Sequence, residues 1–275
     1  MSCQLQRIGA GRPAESSAPS LVLLLAGLGV GLGLSACATT QYSHHSRSHH
    51  SLPEVKETAL ESPMLASLNI RGVDVSYYQG DIDWPTVHAS GVTFAYIKAT
   101  EGGDYLDSKF QQNWVAAKAA GLQRGAYHFY YLCRPVREQI DWFEQHVPRD
   151  PDALPPAIDM EWVPTSKNCQ VKPSRAKIVA DLQLFLESLE RHYHKRPVIY
   201  STASFHHDVL EGAFDEYPFW LRAIDGPPGE RYGFRPWNFW QYSARGTLPG
   251  VNGHVDKNAF AGTQAEWAMF VQGDT

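Results

Sequence analysis

The sequence predicts an α/β fold of the TIM-like β/α-barrel class, with about five β/α units followed by three strands in an irregular last third. Eight short segments rich in β-branched and aromatic residues follow one another between residues 69 and 260. Segments of helical character separate the first five, and short Gly/Pro-rich links join the last three. Because strands that alternate with helices pair in parallel through right-handed crossovers, this order indicates a closed barrel.

The sequence contains eight candidate strand segments, separated in part by segments of helical character. The strand segments are NIRGVDVS, VTFAYIKAT, QRGAYHFYY, PPAIDMEW, RPVIYS, FWLRAI, WNFWQYS and HVDKNAF. The clearest helices are DSKFQQNWVAAKAAG and SRAKIVADLQLFLESLERHYHK. The second helix carries Ile178, Leu182, Leu186 and Leu189 on one face, and Ser174 is placed to cap its amino terminus.

The composition limits the classes of protein to which the chain belongs. Its 275 residues are 43% hydrophobic and 19% charged, with a formal net charge of −5. These values are typical of one or two globular domains with a sizeable core, and not of a disordered or collagenous chain. The mild acidity argues against a dominant basic surface, so we expect no nucleic-acid partner.

The first 36 residues have the pattern of a secretory signal. Arg7 and Arg12 precede an apolar run, Leu21–Leu34, which small residues follow. That arrangement describes a signal peptide, and the run is short for a membrane-spanning helix. The sequence LSAC at its end resembles a bacterial lipoprotein box. We therefore expect Cys37 to be lipidated and to anchor an exported protein that faces the periplasm, on the outer membrane. Ordinary cleavage after Ala36 or Ala38, giving a secreted protein, is the alternative.

Beyond the signal, the sequence divides into a tether and a folded domain. Residues 37–68 are rich in Ser, His, Thr, Pro and Glu, which predicts a flexible tether, and residues 69–275 carry the strand and helix segments. With the signal removed and Cys37 lipidated, Cys133 and Cys169 remain. Export to an oxidising compartment favours a disulfide between them, and two free thiols are the alternative.

Acidic residues stand late in several strand segments, where the reacting groups of a parallel barrel gather. Asp159 and Glu161 lie two residues apart in PPAIDMEW, Asp74 lies late in NIRGVDVS, and Asp256 lies in HVDKNAF. Residues i and i+2 of a strand face the same side, so Asp159 and Glu161 are expected in the barrel mouth. Neighbouring carboxyls in a partly apolar pocket have a raised pKa. One protonated acid beside one ionised acid is what glycosidic bond cleavage requires.

Aromatic side chains cluster at or after the same strand ends. They are Tyr77, Tyr78, Trp84, Tyr127, Tyr130, Tyr131, Trp162, Tyr200, Trp220, Trp240 and Tyr242. Aromatic faces with polar rims suit pyranose rings, which offer C–H faces and equatorial hydroxyls. We expect part of this set to line a sugar site and the rest to belong to the core.

Six motifs occur in a fixed order over residues 69–262. They are RGVDVSYYQGDIDW, FAYIKATEG, AYHFYY, AIDMEW, PVIYS and FWQYSARGTLPGVNGHVDKNAF. Together they resemble glycoside hydrolase family 25, the Chalaropsis-type lysozymes. The resemblance implies a β/α barrel with five regular units and an irregular end. It also implies an N-acetylmuramidase that cleaves the β-1,4 bond between N-acetylmuramic acid and N-acetylglucosamine in peptidoglycan.

The resemblance further implies a role for each candidate site residue. Glu161 would be the general acid. Asp159 would orient the substrate's 2-acetamido group for attack on the anomeric carbon, or stabilise positive charge there. Asp74 and Asp256 would complete the acidic floor, with a purely structural role open for both. The expected substrate-binding residues are Tyr78, Tyr130, Trp162, Tyr200, Gln241 and Tyr242.

Further expectations concern an ion pair at the site, the partners of the protein and two alternative functions. Lys98 and Glu101 are expected to order the site by pairing with each other or with neighbouring carboxylates. We expect a monomer that contacts peptidoglycan glycan strands, with no cofactor and no metal. One alternative is a non-catalytic peptidoglycan-binding lipoprotein on the same scaffold, although such a protein would be expected to lack one of the two acids in AIDMEW. The other alternative is a chitinase-like hydrolase.

Overall fold

The structure is a computed structural model, and it describes residues 57–167 and 169–273. These residues contain nine strands in one sheet. The strands are β1 Ile70–Val75, β2 Phe94–Glu101, β3 Tyr105–Leu106, β4 Gln123–Phe129, β5 Ala157–Met160, β6 Val198–Thr202, β7 Phe219–Arg222, β8 Phe239–Gly246 and β9 Val255–Phe260.

Helices fill most of the connections between these strands. The α-helices are α1 Pro63–Ser67, α2 Trp84–Ala89, α3 Phe110–Ala119, α4 Val136–His146, α5 Arg175–Tyr193, α6 Ala203–Phe205, α7 Gly229–Tyr232 and α8 Gln264–Gln272. Short 3-10 turns lie at Thr58–Glu61 and Tyr77–Gln79, and a π-turn, His206–Leu210, continues α6. The Ser174 side chain accepts a hydrogen bond from the Lys177 backbone N–H, as expected of an N-cap.

Eight of the strands in the described residues close into a barrel, which confirms the predicted fold class. Their order around the barrel is β1-β2-β4-β5-β6-β7-β8-β9, with β9 pairing back to β1, and β3 extends the edge of β2. The strands from β1 to β8 in this closed order pair in parallel, whereas β9 is antiparallel to both of its neighbours. The link from β8 to β9 is too short for a crossover helix, so β9 must return in the opposite direction.

Alternation along the strands divides the core into two layers. Outward-facing residues such as Ile158, Met160 and Leu221 pack against the helices. Inward-facing residues at the amino end of the parallel strands form an aromatic cluster, which we call the plug. Its main members are Phe94, Tyr96, Trp220, Phe239, Phe260, Trp267 and Phe270. Helix α8 supplies the last two and covers this end of the barrel.

Two inward-facing glycines make room for the plug. A Cβ atom added at Gly72 of β1 would lie 2.3 Å from the Phe94 ring, and one added at Gly125 of β4 would lie 2.4 Å from the Tyr96 ring. Separations this small are far inside van der Waals contact. Glycine at these two positions therefore allows large rings on β2 to fill the barrel axis.

The last part of the predicted tether, residues 57–68, is folded onto the barrel. Ala59 and Leu65 are buried. Both oxygens of Glu57 accept hydrogen bonds from β8, at 2.6 Å from the Ser243 hydroxyl and 2.8 Å from the Ala244 N–H. The sequence pattern missed this segment because its few apolar residues lie in turns too short to show a period. The predicted signal peptide and Cys37 lie outside the described residues, and within those residues no helix is long and apolar enough to cross a membrane.

Candidate active site

A cleft of about 230 Å³ opens at the end of the barrel opposite the plug. Its lining includes Asp74 of β1, Lys98 of β2, Asp159 and Glu161 of the β5 segment, and Asp256 of β9. Other lining residues are Tyr78, Tyr127, Tyr200, Trp220 and Gln241. The four acids singled out from the sequence therefore lie together, at the carboxyl ends of the parallel strands.

The two acids of the β5 segment face the cleft because of strand alternation. Asp159 lies within β5 and Glu161 follows its last residue, roughly 6.6 Å further along the chain. Ile158 and Met160 are buried on the helix side of the sheet. The Met160 carbonyl accepts a hydrogen bond from the Ser201 hydroxyl at 3.0 Å, which ties the end of β5 to β6 next to Glu161.

Burial raises the pKa of both of these carboxyls. Burial raises the pKa of Asp159 well above its ordinary value, and the neighbouring Glu161 adds to the rise. Burial also raises the pKa of Glu161, while the Arg222 guanidinium and the Lys98 ammonium oppose that rise. The Oδ1 atom of Asp159 is buried and accepts no hydrogen bond from any described residue. A buried polar atom without a partner is costly, which favours a functional role for this carboxyl.

Asp74 lies at the centre of a fixed hydrogen-bond network. Its Oδ2 accepts from Gln241 Nε2 at 2.9 Å and from Asn258 Nδ2 at 2.7 Å. The oxygens of the two amides accept from the Tyr200 hydroxyl at 3.0 Å and from the Trp220 indole N–H at 2.8 Å. The indole is only a donor, so it fixes Asn258 with its N–H group toward Asp74. The network presents Asp74 with donors only.

Asp256 holds the proton of the pair that it forms with Asp74. The two residues lie opposite each other where β1 pairs with β9. Burial and the nearby Asp74 carboxylate raise the pKa of Asp256 to about 9. Burial raises the pKa of Asp74 too, but the Asn258 and Gln241 amides favour its charged form. At neutral pH Asp256 is therefore the neutral acid, and the floor of the cleft carries less charge than its composition indicates.

Lys98 is paired as the sequence analysis expects. Its ammonium forms an ion pair with Glu101 at 2.5 Å and lies 4.8 Å from the centre of the Phe129 ring. Glu101 also accepts a hydrogen bond from the Tyr131 hydroxyl. The side chain of Lys98 is thus held at the edge of the cleft, where its charge opposes the raised pKa of both acids of the β5 segment.

A second cavity, of about 290 Å³, shares Glu161 with the cleft. Tyr130 and Trp162 line it, and so does Lys172, whose ammonium lies 4.7 Å from the centre of the Trp162 ring. The predicted disulfide is confirmed, because Cys133 and Cys169 are bonded, with Cα atoms 5.5 Å apart. This bond ties the loop after β4 to the loop after β5 and forms part of the cavity wall.

The expected substrate-binding residues divide among three places. Tyr78, Tyr200 and Gln241 line the cleft, whereas Tyr130 and Trp162 line the second cavity. Placing Tyr242 in the site was wrong. Tyr242 is buried in the helix-side core, where the Arg71 guanidinium lies 5.5 Å from its ring centre. Gln241 faces the barrel interior, so its immediate neighbour on β8 must face outward.

Sequence reasoning missed two residues beside the acids. Asn258 lies two residues after Asp256, and Arg222 lies two residues after Trp220, so each shares the inward face of its strand. Extending the same alternation along β7 and β9 would have found both. The sequence analysis singled out mainly acidic and aromatic residues, and it named neither the Asn258 amide nor the Arg222 guanidinium.

Comparison with known proteins places this architecture among carbohydrate-active enzymes. The profile of the family described as "Glycosyl hydrolases family 25" matches residues 73–251, a stretch that contains Asp74, Asp159, Glu161 and Gln241. The chain belongs to glycosyl hydrolase family 25. It is therefore a glycoside hydrolase, and the predicted family is confirmed.

Relatives within family 25 cover most of the chain. The Escherichia coli K12 protein named "Uncharacterized protein YegX" is 35% identical over 244 residues, which is 87% of this chain and 85% of the relative. "Lysozyme M1" of Streptomyces globisporus is 36% identical over 211 residues, covering 71% of this chain and 69% of the relative. A solved family 25 glycosyl hydrolase from Bacillus anthracis matches with a TM-score of 0.68 and 35% identity, over 73% of this chain and 92% of that one.

Proposed function

We propose that this chain is a lysozyme that cleaves the β-1,4 bond between N-acetylmuramic acid and N-acetylglucosamine in peptidoglycan. The observation that carries the proposal is the pair of partly buried carboxyls, Asp159 and Glu161, on adjacent inward positions of one cleft. Family membership and the lysozyme relative support the reaction class. The substrate class comes from that relative and from the resemblance of the motifs, and the residue roles below are those that the resemblance implies, with the geometry in support.

Glu161 is the general acid in this proposal. Burial raises its pKa, so the carboxyl keeps its proton at higher pH than an exposed glutamate does. It stands at the junction of the cleft and the second cavity, because it lines both. A proton donor at a junction lies beside the glycosidic oxygen that joins a sugar in one cavity to a sugar in the other. Protonation of that oxygen lets the leaving sugar depart as an alcohol.

Asp159 assists from the cleft side of that junction. The N–H of a 2-acetamido group is a donor that would satisfy the unpartnered Oδ1 of Asp159. Accepting this hydrogen bond would turn the acetamido oxygen toward the anomeric carbon. The oxygen could then attack that carbon as the leaving group departs, with retention of configuration after water opens the intermediate. The Asp74 network and Asp256 form the rigid floor beneath this sugar.

The end group that the enzyme releases tests the proposal. Purified peptidoglycan is digested, and the products are reduced with borohydride. Muramitol as the new reduced end supports the lysozyme reaction. Glucosaminitol would instead indicate cleavage of the other glycosidic bond or a chitinase-like preference, and no new end would indicate a binding protein. Glu161→Gln, prepared and assayed in parallel, controls for contaminating hydrolases.

The cellular site of action follows from the amino-terminal sequence. We propose that the protein is exported and acts as a monomer, with Cys37 lipidated and inserted in a membrane, because the signal pattern and the LSAC motif precede a folded domain. Partitioning into a detergent phase tests the anchor. The wild-type protein should enter that phase and Cys37→Ser should stay in the aqueous phase, whereas equal partitioning of the two would rule out lipidation at this residue.

A further inference from the structure

An arginine at the mouth of the barrel has no role in the mechanism above. Strand alternation on β7 turns Trp220 inward, Leu221 toward the helices and Arg222 inward again. Arg222 is the last residue of its strand, paired with Gln241 of β8 on one side and with Thr202 of β6 on the other. It therefore stands at the mouth end of the barrel, in electrostatic range of Glu161 and one strand away from the amide that holds Asp74.

The guanidinium of Arg222 acts electrostatically on Glu161, Asp74 and Asp256 but forms no ion pair with any of them. It makes no hydrogen bond or ion pair shorter than 4.0 Å with any described residue, although it is only partly exposed. Three buried cations of the domain, in contrast, are paired. Lys98 pairs with Glu101, Lys195 donates to three backbone carbonyl oxygens, and Arg235 pairs with Asp215. A partly desolvated cation without a partner is costly, so its presence favours a bound anion.

A cavity of about 300 Å³ lies against this guanidinium. Its walls include the hydroxyl-bearing residues Thr202 and Ser204, and Arg231, whose charge is already engaged by Asp225. The surplus charge of the cavity is therefore the positive charge of Arg222. A planar guanidinium beside hydroxyl donors is suited to a carboxylate, which it can bind through two parallel hydrogen bonds.

The chemistry of the substrate identifies the anion, given the proposed function. The glycan chain of peptidoglycan is itself uncharged, and its carboxylates lie on the substituent of the muramyl residue. That substituent ends in a free lactyl carboxylate when the stem peptide is absent, and in peptide carboxylates when it is present. We propose that Arg222 and its cavity form a subsite that binds a carboxylate of the muramyl substituent.

The subsite would explain how one cleft recognises muramyl residues among N-acetylated sugars. The acetamido group contacted by Asp159 is common to both sugars of peptidoglycan and to chitin, so it cannot distinguish them. An anionic arm reaching Arg222 from a sugar in the cleft is found on the muramyl residue only. The preference is then a difference in affinity that rests on one charge-assisted contact.

Matched glycan strands that differ only in charge test this subsite. Strands stripped of stem peptides by an amidase carry the free lactyl carboxylate, and conversion of that carboxylate to a methylamide removes the charge. For the wild type we expect kcat/KM to be about tenfold higher on the carboxylate strands, the effect of one charge-assisted hydrogen bond. Arg222→Gln should bring this ratio close to one, and Arg222→Lys should restore part of it.

Two controls separate recognition from other effects. The Arg222 guanidinium also opposes the raised pKa of Glu161, so each variant is assayed at its own optimum pH and only the ratio between substrates is compared. Arg196→Gln, which removes a guanidinium bound to the Glu216 carbonyl, should keep the wild-type ratio. Thermal unfolding of Arg222→Gln confirms that the variant is folded.

The outcomes distinguish a lactyl carboxylate from a stem-peptide carboxylate. They also test the subsite separately from the lysozyme reaction. A loss for Arg222→Gln that is confined to uncut, stem-bearing peptidoglycan would assign the carboxylate to the peptide. An unchanged ratio on the stripped strands without a selective loss on stem-bearing peptidoglycan, or an equal loss on all three substrates, would overturn the subsite and leave the lysozyme reaction standing. Failure of the wild type to cleave any of the strands would overturn the lysozyme proposal, and this inference with it.

Discussion

The two ends of the barrel interior are built by the same strands and have opposite character. At the plug end, β2, β8 and β9 contribute Phe94, Phe239 and Phe260, and all three rings are almost completely buried. Two to four residues further toward the mouth, the inward positions carry Lys98, Gln241 and Asp256. One end consists of apolar rings in mutual contact, and the other consists of charges and amides that burial makes costly.

This difference shows how stability and reactivity are separated along one set of strands. Burial of aromatic rings is a large favourable contribution to folding. Burial of carboxyls is unfavourable and is reduced here by fixed amides and by retained protons. Substitutions at the plug should therefore change mainly the free energy of unfolding, whereas substitutions at the mouth should change mainly the rate of catalysis.

The largest expected effect is at the mouth. Glu161→Gln removes the transferable proton and keeps the shape of the side chain, so kcat should fall by about 10³-fold. The melting temperature should stay the same or rise, because a neutral amide replaces a carboxyl that is costly to bury. Release of muramitol and thermal unfolding measure the two quantities.

An exposed glutamate provides the matched control for that variant. Glu211 lies on the surface after the π-turn, and its side chain makes no contact within hydrogen-bonding distance of a described residue, so Glu211→Gln should keep full activity. Near-normal turnover by Glu161→Gln would exclude Glu161 as the acid. A collapse of its stability would contradict the separation between the two ends.

The next largest effect is at the plug. The Phe239 ring lies 5.1 to 5.3 Å, centre to centre, from the rings of Phe94, Phe260 and Phe270. Phe239→Ala should lower the free energy of unfolding by about 3–5 kcal/mol, the usual cost of emptying such a site. Chemical denaturation measures this, and kcat of the protein that remains folded should change by only a few-fold.

Phe234 offers a control of the same residue type. It is fully exposed, so Phe234→Ala should change the free energy of unfolding by less than about 0.5 kcal/mol. If Phe239→Ala reduced kcat by orders of magnitude while the protein stayed stable, the plug would have to be counted as part of the catalytic machinery.

The sequence predicts where a strand side chain points only if the alternation of inward and outward residues is visible in that segment. It can be read in PPAIDMEW, where the acids alternate with Ile158 and Met160, and that placement of Asp159 and Glu161 agrees with the structure. The same rule, left unapplied to WNFWQYS, would have turned Tyr242 outward. The folded segment from Glu57 and the reversed direction of β9 could not be predicted from the sequence. Both depend on contacts between residues that are far apart in the chain.

The network around Asp74 could be predicted only in part. The acid was visible in the sequence, but the amides that hold it lie on β8 and β9, more than 160 residues away. Nothing local to Asn258 indicates that its amide is fixed by Trp220. Such pairings follow from the register of the closed barrel, which no single segment determines.

A third effect concerns the covalent link at the mouth. The Cys133–Cys169 bond spans 36 residues, and a cross-link of that length typically stabilises a protein by about 2–4 kcal/mol. The double variant Cys133→Ser/Cys169→Ser should be destabilised by that amount, and KM should rise because the second cavity loses part of its wall. Thermal unfolding with and without a reductant measures the stability.

The same double variant supplies the control for the reductant. Reduction should lower the melting temperature of the wild type and leave that of the double variant unchanged. A reductant that destabilised both proteins equally would show that the disulfide is not responsible, and that the loops at the mouth are held by other contacts.

The last expected effect is a dependence of stability on pH. The pKa of Asp256 is raised to about 9 from an ordinary value of 3.8, so between these limits the folded state binds a proton that the unfolded state has released. Stability from this group is therefore lost as pH rises through that window, by at most about 1.4 kcal/mol per pH unit. Asp256→Asn should flatten the decline in melting temperature between pH 5 and 9, whereas a slope identical to that of the wild type would show that Asp256 is ionised throughout.

The contact between Glu57 and β8 sets a geometric limit on where the enzyme can work. Ser243 and Ala244 lie at the mouth end of β8, so the chain joins the barrel on the side of the cleft. From Cys37 to Glu57 there are 20 residue steps, which span at most about 70 Å when fully extended. With Cys37 inserted in a lipid layer, as proposed, the tether would confine the barrel to a hemisphere of that radius around Cys37. Glycan strands inside it would meet the cleft at a high effective concentration, and strands beyond it would be out of reach.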